Sequence, residues 1–362
     1  MFETYKGKRV FVTGHTGFKG SWLCEMLLMA GADVYGYALK PPTKPALFNQ
    51  LKLAKRIKSH VIGDICDLTT LTKAVRAAKP DFVFHLAAQP LVRLSYREPV
   101  ETFAANVMGT VNLLEAVRKY NRPCSVVCIT TDKCYENDNS GRAFREDDPM
   151  GGSDPYSASK GACEIAIASY RRSFFGDESA VKLASARAGN VIGGGDWAED
   201  RIVPDAMRAF LEGGTLVVRN AKSTRPWQHV LEPLSGYLML GLSPFAEAFN
   251  FGPDEKTVKT VGQLVKELTR YFPKARIADQ TDPKAPREAK LLRLDSTKAK
   301  RLLDWKPRWD FRQTIRATAE WYKGVAAGES PRELCVRQIE DYMKVRESLS
   351  STNYTNYTKG MG

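Results

Sequence analysis

A tyrosine and a lysine four positions apart form the strongest catalytic pattern in the sequence. Tyr156 and Lys160 stand near the start of a predicted helix, and their spacing places both side chains on one helix face. A phenol has a pKa of about 10 in water, and neighbouring positive charge lowers it. The pattern therefore predicts that Tyr156 serves as a base whose proton affinity Lys160 reduces.

Glycines at intervals of three follow the first predicted strand, and they predict a pyrophosphate-binding turn. The turn stands between the strand Arg9–Thr13 and a helical run that ends near Gly31. Glycine permits positive φ and leaves backbone N–H groups uncovered, while the start of a helix contributes partial positive charge. The predicted dinucleotide site consists of Gly14, His15, Thr16, Gly17, Phe18, Lys19 and Gly20.

The elements that must position these motifs alternate along the first half of the chain. Short β-rich runs at Asp33–Tyr37, Asp81–Leu86 and Ser125–Thr130 are separated by amphipathic helical stretches, a pattern typical of parallel strands joined by helices. We therefore predict an α/β fold with a doubly wound, Rossmann-like parallel sheet. The motifs that follow its strands should converge on one edge.

The sequence changes character near residue 189, where glycine-containing and proline-containing loops interrupt a less regular pattern. We predict a dinucleotide-binding domain at residues 1–189 and a smaller α+β substrate-binding domain at residues 190–362. Residues 229–256 are expected to return to the first domain, because an apolar helical run there is followed by the strand-like Phe249-Asn250-Phe251.

Composition and charge disfavour several other classes of protein. The chain has 362 residues, 43% of them hydrophobic, which is enough for a large buried core. No signal peptide and no membrane-spanning apolar run is recognisable, so we expect a cytoplasmic protein without a membrane partner. The seven cysteines form no Cys-x-x-Cys pair, and no metal site is expected. The net charge of +13 is spread along the chain, which favours an anionic substrate over nucleic acid.

Together these motifs resemble the extended short-chain dehydrogenase/reductase family, and within it the nucleotide-sugar 4,6-dehydratases of the CDP-glucose branch. The resemblance covers nearly the whole chain. It implies an NAD cofactor and CDP-glucose as substrate. Besides the glycine turn and the tyrosine–lysine pair, it rests on the segments Gln89-Pro90-Leu91-Val92-Arg93, Asp132-Lys133-Cys134-Tyr135 and Asp148-Pro149-Met150-Gly151-Gly152.

The resemblance also implies cofactor contacts after the third and fourth strands. Asp64 and Ile65 would lie at the adenine, and Ala87-Ala88-Gln89 and Asn106 would lie beside the cofactor. Other interpretations stay open. Asp64 could cap a helix start, and the paired alanines could serve only close packing.

One departure from the family concerns the choice of cofactor. The second strand leads into Ala38-Leu39-Lys40, without the acidic residue that holds the adenosine ribose hydroxyls of NAD. Lys40 could instead favour the 2′-phosphate of NADP. A reaction that returns its hydride internally favours NAD.

The segment after the strand Ser125–Thr130 is where the resemblance implies the chemistry of water loss. Thr131 would hydrogen-bond the sugar 4-hydroxyl, and Asp132 would protonate the departing C6 hydroxyl, which is otherwise a poor leaving group. Asp132 could instead cap a turn. The dTDP-glucose enzymes carry a glutamate base next, whereas this chain has Lys133. Lys133 either removes the C5 proton, since burial and like charge lower a lysine pKa, or only orients the substrate.

The substrate-binding residues are likewise implied by the resemblance. Asn190 would contact the pyrophosphate or the sugar, and the Arg225 guanidinium would grip two phosphate oxygens. Arg201, Arg219 and Arg293 are further candidates. Recognition of cytosine rests on the resemblance alone.

The predicted reaction converts CDP-D-glucose to CDP-4-keto-6-deoxy-D-glucose and water by internal hydride transfer. The resemblance places it at the entry to deoxysugar and O-antigen precursor biosynthesis, in a homodimer or homotetramer. One alternative is a nucleotide-sugar 4-epimerase or reductase, for which Asp132 is the discriminating residue. A second alternative is a noncatalytic protein that binds a dinucleotide or a polyanion, because the ribose carboxylate is missing and the chain is basic.

Overall fold

The computed structural model describes residues 2–176, 178–280 and 292–355. Its strands, in chain order, are β1 Arg9–Thr13, β2 Asp33–Ala38, β3 Ser59–Ile62, β4 Phe82–His85, β5 Cys124–Ile129, β6 Ala143–Phe144, β7 Val181–Ala188, β8 Val191–Ile192, β9 Thr215–Val218, β10 Thr224–Pro226, β11 Gln228–His229, β12 Ala248–Phe251, β13 Val258–Thr260, β14 Arg276–Asp279 and β15 Arg293–Leu294.

The helices cover the sheet on both faces. They are α1 Phe18–Met29, α2 Leu47–Gln50, α3 Leu68–Ala78, α4 Val92–Arg97, α5 Pro99–Phe103, α6 Gly109–Tyr120, α7 Pro155–Ser173, α8 Ile202–Leu211, α9 Leu231–Leu242, α10 Val261–Thr269, α11 Thr297–Leu303, α12 Phe311–Ala326 and α13 Pro331–Thr355. Short 3₁₀ turns occur at Phe2–Tyr5, Leu53–Lys55, Asp132–Cys134 and Glu255–Thr257.

The central sheet has the order β12-β7-β5-β4-β1-β2-β3, and all of its pairings are parallel. The predicted doubly wound sheet is thus confirmed, and each predicted strand end is correct to within one residue. The winding direction reverses between β1 and β4. In open α/β sheets a ligand cleft lies outside the carboxyl ends of the strands at such a point.

Two hydrophobic layers hold the helices on the sheet. Apolar side chains of α3, α6 and α7 pack on one face, and those of α1, α9 and α12 pack on the other. The helix that carries the tyrosine–lysine pair begins for a local reason: Asp154 accepts a hydrogen bond from the Ser157 nitrogen at 2.9 Å, and Pro155 occupies the first turn. Tyr156 therefore stands in the first turn of α7.

A π-helical turn at Ala104–Met108 joins α5 to α6. No sequence pattern predicted this π turn. An extra residue in one turn rotates the following side chains, and such turns are frequent at functional sites. Here the turn contains Asn106.

Part of the second half of the chain adds to the sheet. Strand β12 pairs with β7, and α9 packs against β5 and β7, so residues 231–251 extend the parallel sheet. The division into residues 1–189 and 190–362 stays a prediction, because one hydrophobic layer runs through both halves. Across the described ranges, no helix is long and apolar enough to cross a membrane.

Candidate active site

The glycine turn closes tightly against the loop after β4. Gly14 has a φ of +73°, and a Cβ atom there would lie 2.6 Å from the Ala87 nitrogen. The Gly17 nitrogen donates to the Gly14 carbonyl at 3.1 Å, and a Cβ on Gly20 would overlap that carbonyl. Because side chains are excluded from the turn, backbone N–H groups at the start of α1 are left open to a pyrophosphate.

His15 and Thr16 join this turn to the neighbouring strands. His15 is fully buried, and its Nε2 lies 2.7 Å from Nδ1 of His60 on β3. Burial, assisted by His60, lowers the pKa of His15 to about 4, so its ring is neutral at neutral pH. The Thr16 hydroxyl donates to the Leu39 carbonyl at 2.9 Å and thereby holds the segment that lacks the ribose carboxylate.

The residues predicted at the adenine follow β3. Asp64 is exposed, its carboxylate accepts from the Cys66 nitrogen at 2.8 Å, and its carbonyl accepts from the Tyr37 hydroxyl at 2.8 Å. Ile65 is buried. The interpretation of Asp64 as a helix cap is wrong for α3, because Asp67 caps that helix.

Asn106 fastens the loop after β4 to α7. Its side-chain oxygen accepts from the Gln89 nitrogen at 2.8 Å, and its amide donates to the Gln89 carbonyl at 3.2 Å and to the Ser159 hydroxyl at 2.9 Å. The Gln89 side chain turns back onto Leu91 and Thr102. The backbone of Ala87-Ala88-Gln89 is therefore held beside the glycine turn, and the Gln89 amide is engaged within its own loop.

Tyr156 and Lys160 are both buried, with 8% and 6% of their surface exposed. The Tyr156 backbone nitrogen donates to the Ser95 hydroxyl at 3.1 Å, and Lys160 Nζ donates to the Ile129 carbonyl at 3.4 Å. Burial raises the pKa of the Tyr156 phenol, while a hydrogen bond with Thr131 lowers it. The phenol is therefore protonated at neutral pH unless further positive charge is brought close to it.

Thr131 and Asp132 lie together at the end of β5. The Thr131 hydroxyl donates to Asp132 Oδ1 at 2.9 Å and accepts from the Lys133 nitrogen at 3.3 Å. The residue that caps the short 3₁₀ turn is thus Thr131 and not Asp132. Asp132 is only 4% exposed, whereas Lys133 is half-buried. The Asp132 carboxyl thus lies beside the Thr131 hydroxyl and close to the Tyr156 phenol.

Lys19 and Arg201 add positive charge around this carboxyl. Burial and the charge of Arg201 lower the pKa of Lys19 to about 8, and Asp132 and Lys160 are close enough to influence it. Arg201 Nη1 forms an ion pair with Asp196 Oδ2 at 2.9 Å, and its charge reaches Tyr156. Lys19 was predicted only at the pyrophosphate, but it also faces the catalytic groups.

The predicted substrate-binding residues lie in different surroundings. Asn190 follows Gly189, at which a Cβ atom would lie 2.8 Å from Asp132 Oδ2, and Arg225 precedes Pro226, whose side chain would lie 3.8 Å from the same Cβ atom. Arg219 Nη1 pairs with Asp200 at 3.2 Å. Arg293 donates to the Gly141 carbonyl at 2.6 Å. Arg225 Nη1 donates to the Thr224 carbonyl at 2.8 Å, so all four predicted arginines make contacts within the protein.

Sequence reasoning missed several residues that shape the site. Ser95, Glu164, Arg187 and Asp196 are all buried and bonded to site residues or to their neighbours. Only Glu164 carried a usable signal, because it stands four residues beyond Lys160 and so shares its helix face. The other three are recognisable only from tertiary contacts.

Comparison with known proteins agrees with this geometry. The family model described as GDP-mannose 4,6 dehydratase matches residues 11–318. A CDP-glucose 4,6-dehydratase of Salmonella typhimurium is 47% identical over 349 residues, which cover 94% of this chain and 97% of that protein. A UDP-glucose 4-epimerase of Thermus thermophilus in complex with NAD has 28% identity and a TM-score of 0.75, covering 87% of this chain and 99% of the other.

A UDP-glucose 4-epimerase of Thermotoga maritima with UDP-glucose shares the fold, with a TM-score of 0.77 at 24% identity over 87% of this chain and 99% of the other. The matched region includes the glycine turn, the acid segment and the tyrosine–lysine helix. The chain therefore belongs to the GDP-mannose 4,6-dehydratase family, within the extended short-chain dehydrogenases/reductases.

Proposed function

We propose that this protein is a CDP-glucose 4,6-dehydratase, a hydro-lyase that converts CDP-D-glucose to CDP-4-keto-6-deoxy-D-glucose and water. The observation that carries the proposal is the buried Asp132 carboxyl, which accepts a hydrogen bond from Thr131 and lies close to Tyr156. A 4-epimerase needs no acid for water loss, whereas a dehydratase does. The 47% identity to a CDP-glucose 4,6-dehydratase supports the choice of nucleotide.

The cofactor in this proposal is NAD, and the residues fit it. Gly14 has positive φ, and its close approach to Ala87 leaves no space for a side chain above the first turn of α1. Backbone N–H groups at that helix end suit a pyrophosphate. When bound, NAD supplies reversible hydride acceptance, which allows oxidation of the sugar at C4 and reduction at C6 without net consumption. The absent ribose carboxylate after β2 predicts a loosely held cofactor.

Side chains of α7 and of the segment after β5 carry the catalytic roles. Tyr156, hydrogen-bonded to Thr131, takes the proton of the sugar 4-hydroxyl, and the charge of Arg201 lowers the pKa of its phenol. The Lys160 ammonium, four residues further along the same helix, would favour the phenolate form as well. The resulting 4-ketone makes the hydrogen on C5 acidic. Lys133, or a neighbouring base, accepts that proton, and Asp132 gives a proton to the C6 oxygen as it departs as water.

The substrate contacts form a second part of the proposal. Asn190 and Arg225 would hold the sugar and the pyrophosphate, and the closeness of their chain neighbours Gly189 and Pro226 to each other and of Gly189 to Asp132 supports this. Arg201, already beside Tyr156, supplies further positive charge to a doubly negative pyrophosphate. Arg219 and Arg293 are further candidates, and all four arginines would have to share or exchange their present protein partners.

The proposal includes assembly into a homodimer or homotetramer. Large apolar side chains remain exposed on the helices α4 to α7, where α4, α5 and α6 all pack against α7. A cluster of this kind is typical of protein–protein contacts. The exposed residues are Tyr96, Val100, Phe103, Met108, Ile165 and Phe174. We also assign the enzyme to the cytoplasm and to deoxysugar and O-antigen precursor biosynthesis, because its product would be a keto-deoxy nucleotide sugar.

The test is to incubate the purified protein with CDP-glucose, UDP-glucose or dTDP-glucose, with and without added NAD, and to follow product mass. We expect CDP-glucose to lose one water and the other two nucleotide sugars to remain unchanged. A product of unchanged mass but altered configuration would favour a 4-epimerase. No reaction with any of the three would contradict the proposed function.

A further inference from the structure

A buried carboxylate on α7 is bonded to the strand that leads into the acid segment. Glu164 lies one helical turn beyond Lys160 and is 3% exposed. Its Oε1 accepts from the Thr130 hydroxyl at 2.5 Å, and its Oε2 accepts from the Ser185 hydroxyl at 2.8 Å. Thr130 directly precedes the catalytic Thr131 and Asp132.

The same carboxylate forms an ion pair with a buried arginine on β7. Arg187 Nη2 lies 2.8 Å from Glu164 Oε2, and both side chains are at most 5% exposed. Arg187 Nη1 donates to the Tyr135 hydroxyl at 2.6 Å, and Tyr135 donates in turn to Asn250 Oδ1 at 2.8 Å. Tyr135 follows the short turn that contains Asp132 and Lys133.

This pair therefore holds residues 130–135 at both ends. The Thr130 side chain is bonded to Glu164 and the Tyr135 side chain to Arg187, while Thr131, Asp132 and Lys133 lie between them. The Tyr156 phenol shares a hydrogen bond with Thr131, but the helix that carries Tyr156 and Lys160 is also held from outside residues 130–135, by the Ser95 hydroxyl and the Ile129 carbonyl. Loosening the pair should therefore move the acid more than the phenol.

Stability alone is a weak reason for such a pair. Removing two charges from water is costly, and well-packed apolar residues often stabilise a core at least as well. A charge-assisted pair does, however, fix geometry, and a displacement of about 1 Å can cost on the order of a hundredfold in rate. Of the two catalytic steps, water loss depends on Asp132 and would be the more sensitive.

We propose that Glu164 and Arg187 are positioning residues that set the place of Asp132 relative to Tyr156, so that water loss follows C4 oxidation. This inference rests on the proposed dehydratase function. Both residues act through Thr130 and Tyr135, and neither contacts the substrate itself. We call Glu164 and Arg187 the clamp pair.

Two mild substitutions test the clamp pair without leaving a buried charge unpaired. Thr130→Val removes the bond to Glu164, and Tyr135→Phe removes the bonds to Arg187 and Asn250. The matched control is Ser185→Ala, which removes another hydroxyl from Glu164 but lies on β7, outside residues 130–135.

Single turnovers with CDP-glucose and NAD separate the two steps by mass. Loss of two hydrogens from the nucleotide sugar reports C4 oxidation, and loss of water reports elimination. In Thr130→Val and Tyr135→Phe we expect elimination to slow by about tenfold or more and oxidation to stay within about threefold, so that the oxidised sugar accumulates. In Ser185→Ala both steps should stay within about threefold of the unmodified enzyme.

The inference would be overturned if Thr130→Val and Tyr135→Phe slowed oxidation and elimination equally, or slowed neither step. It would also be overturned if Ser185→Ala slowed elimination selectively. Crystal structures of the three variants give a readout independent of activity. The Asp132 carboxyl should be displaced from Tyr156 in the test variants and unmoved in Ser185→Ala. An unmoved Asp132 in all three overturns the inference, whereas an inactive unmodified enzyme overturns only the proposed function.

Discussion

Replacing Asp132 by asparagine isolates the proton that the acid supplies. Asparagine has nearly the same volume, and its side-chain oxygen can still accept the 2.9 Å hydrogen bond from the Thr131 hydroxyl. Because Asp132 is 4% exposed, bulk water cannot readily substitute as the donor. Loss of a general acid costs about 10²–10⁴ in rate. We therefore expect Asp132→Asn to slow water loss by at least about a hundredfold, equivalent to about 2.7 kcal/mol of transition-state free energy.

The assay for this variant follows product mass and the absorbance of reduced nicotinamide in one turnover with CDP-glucose. Oxidation at C4 should remain detectable, because Tyr156 and Lys160 are unchanged. The control is Asp138→Asn. Asp138 is 47% exposed, and among the described residues its ion-pair partner is Arg142 at the surface. Turnover of Asp132→Asn at the unmodified rate would remove Asp132 from the mechanism and refute the reasoning.

The remaining predictions concern the base, the turn and a buried glutamate. Tyr156→Phe should slow C4 oxidation by at least about a hundredfold with CDP-glucose affinity retained, as measured by single turnovers and calorimetry. Gly14→Ala should weaken NAD binding and lower the melting temperature more than Gly7→Ala does. Both glycines have positive φ, but a Cβ atom added at Gly14 would collide with the Ala87 backbone, whereas one added at Gly7 would have no neighbour within 4 Å. Burial raises the pKa of Glu232 from 4.5 to about 7, so the folded state retains its proton longer than the unfolded chain does. Its contribution to the free energy of unfolding is therefore fully present below pH 4.5, and roughly 3 kcal/mol of it is lost as the pH rises through about 7. Urea titrations between pH 4.5 and 7 should show that the free energy of unfolding depends less on pH in Glu232→Gln than in the unmodified protein.

Local patterns in the sequence predicted the sheet and the main motifs. Strand runs, a glycine turn and a four-residue spacing depend on neighbours in the chain, so they can be recognised without tertiary contacts. The end of β1 at Thr13 and the placement of Tyr156 in the first turn of α7 follow from such patterns. The interpretation of Asp132 as a turn cap failed because a threonine hydroxyl one residue earlier makes that bond.

Tertiary contacts decided how these motifs are held. His15 contacts His60, which is 45 residues away, and Glu164 on α7 contacts Arg187 on β7. The π turn that contains Asn106 packs against α7, which is more than 45 residues further along the chain.

The sequence by itself determined which chemistry the chain carries, because the reactive groups and their spacing are local. The tertiary structure alone decided which buried partners orient those groups, because the free energy of a buried charge depends on what surrounds it after folding. Glu164 is the clearest case: its spacing from Lys160 is visible in the sequence, but its bonds to Thr130 and Arg187 exist only in the folded protein.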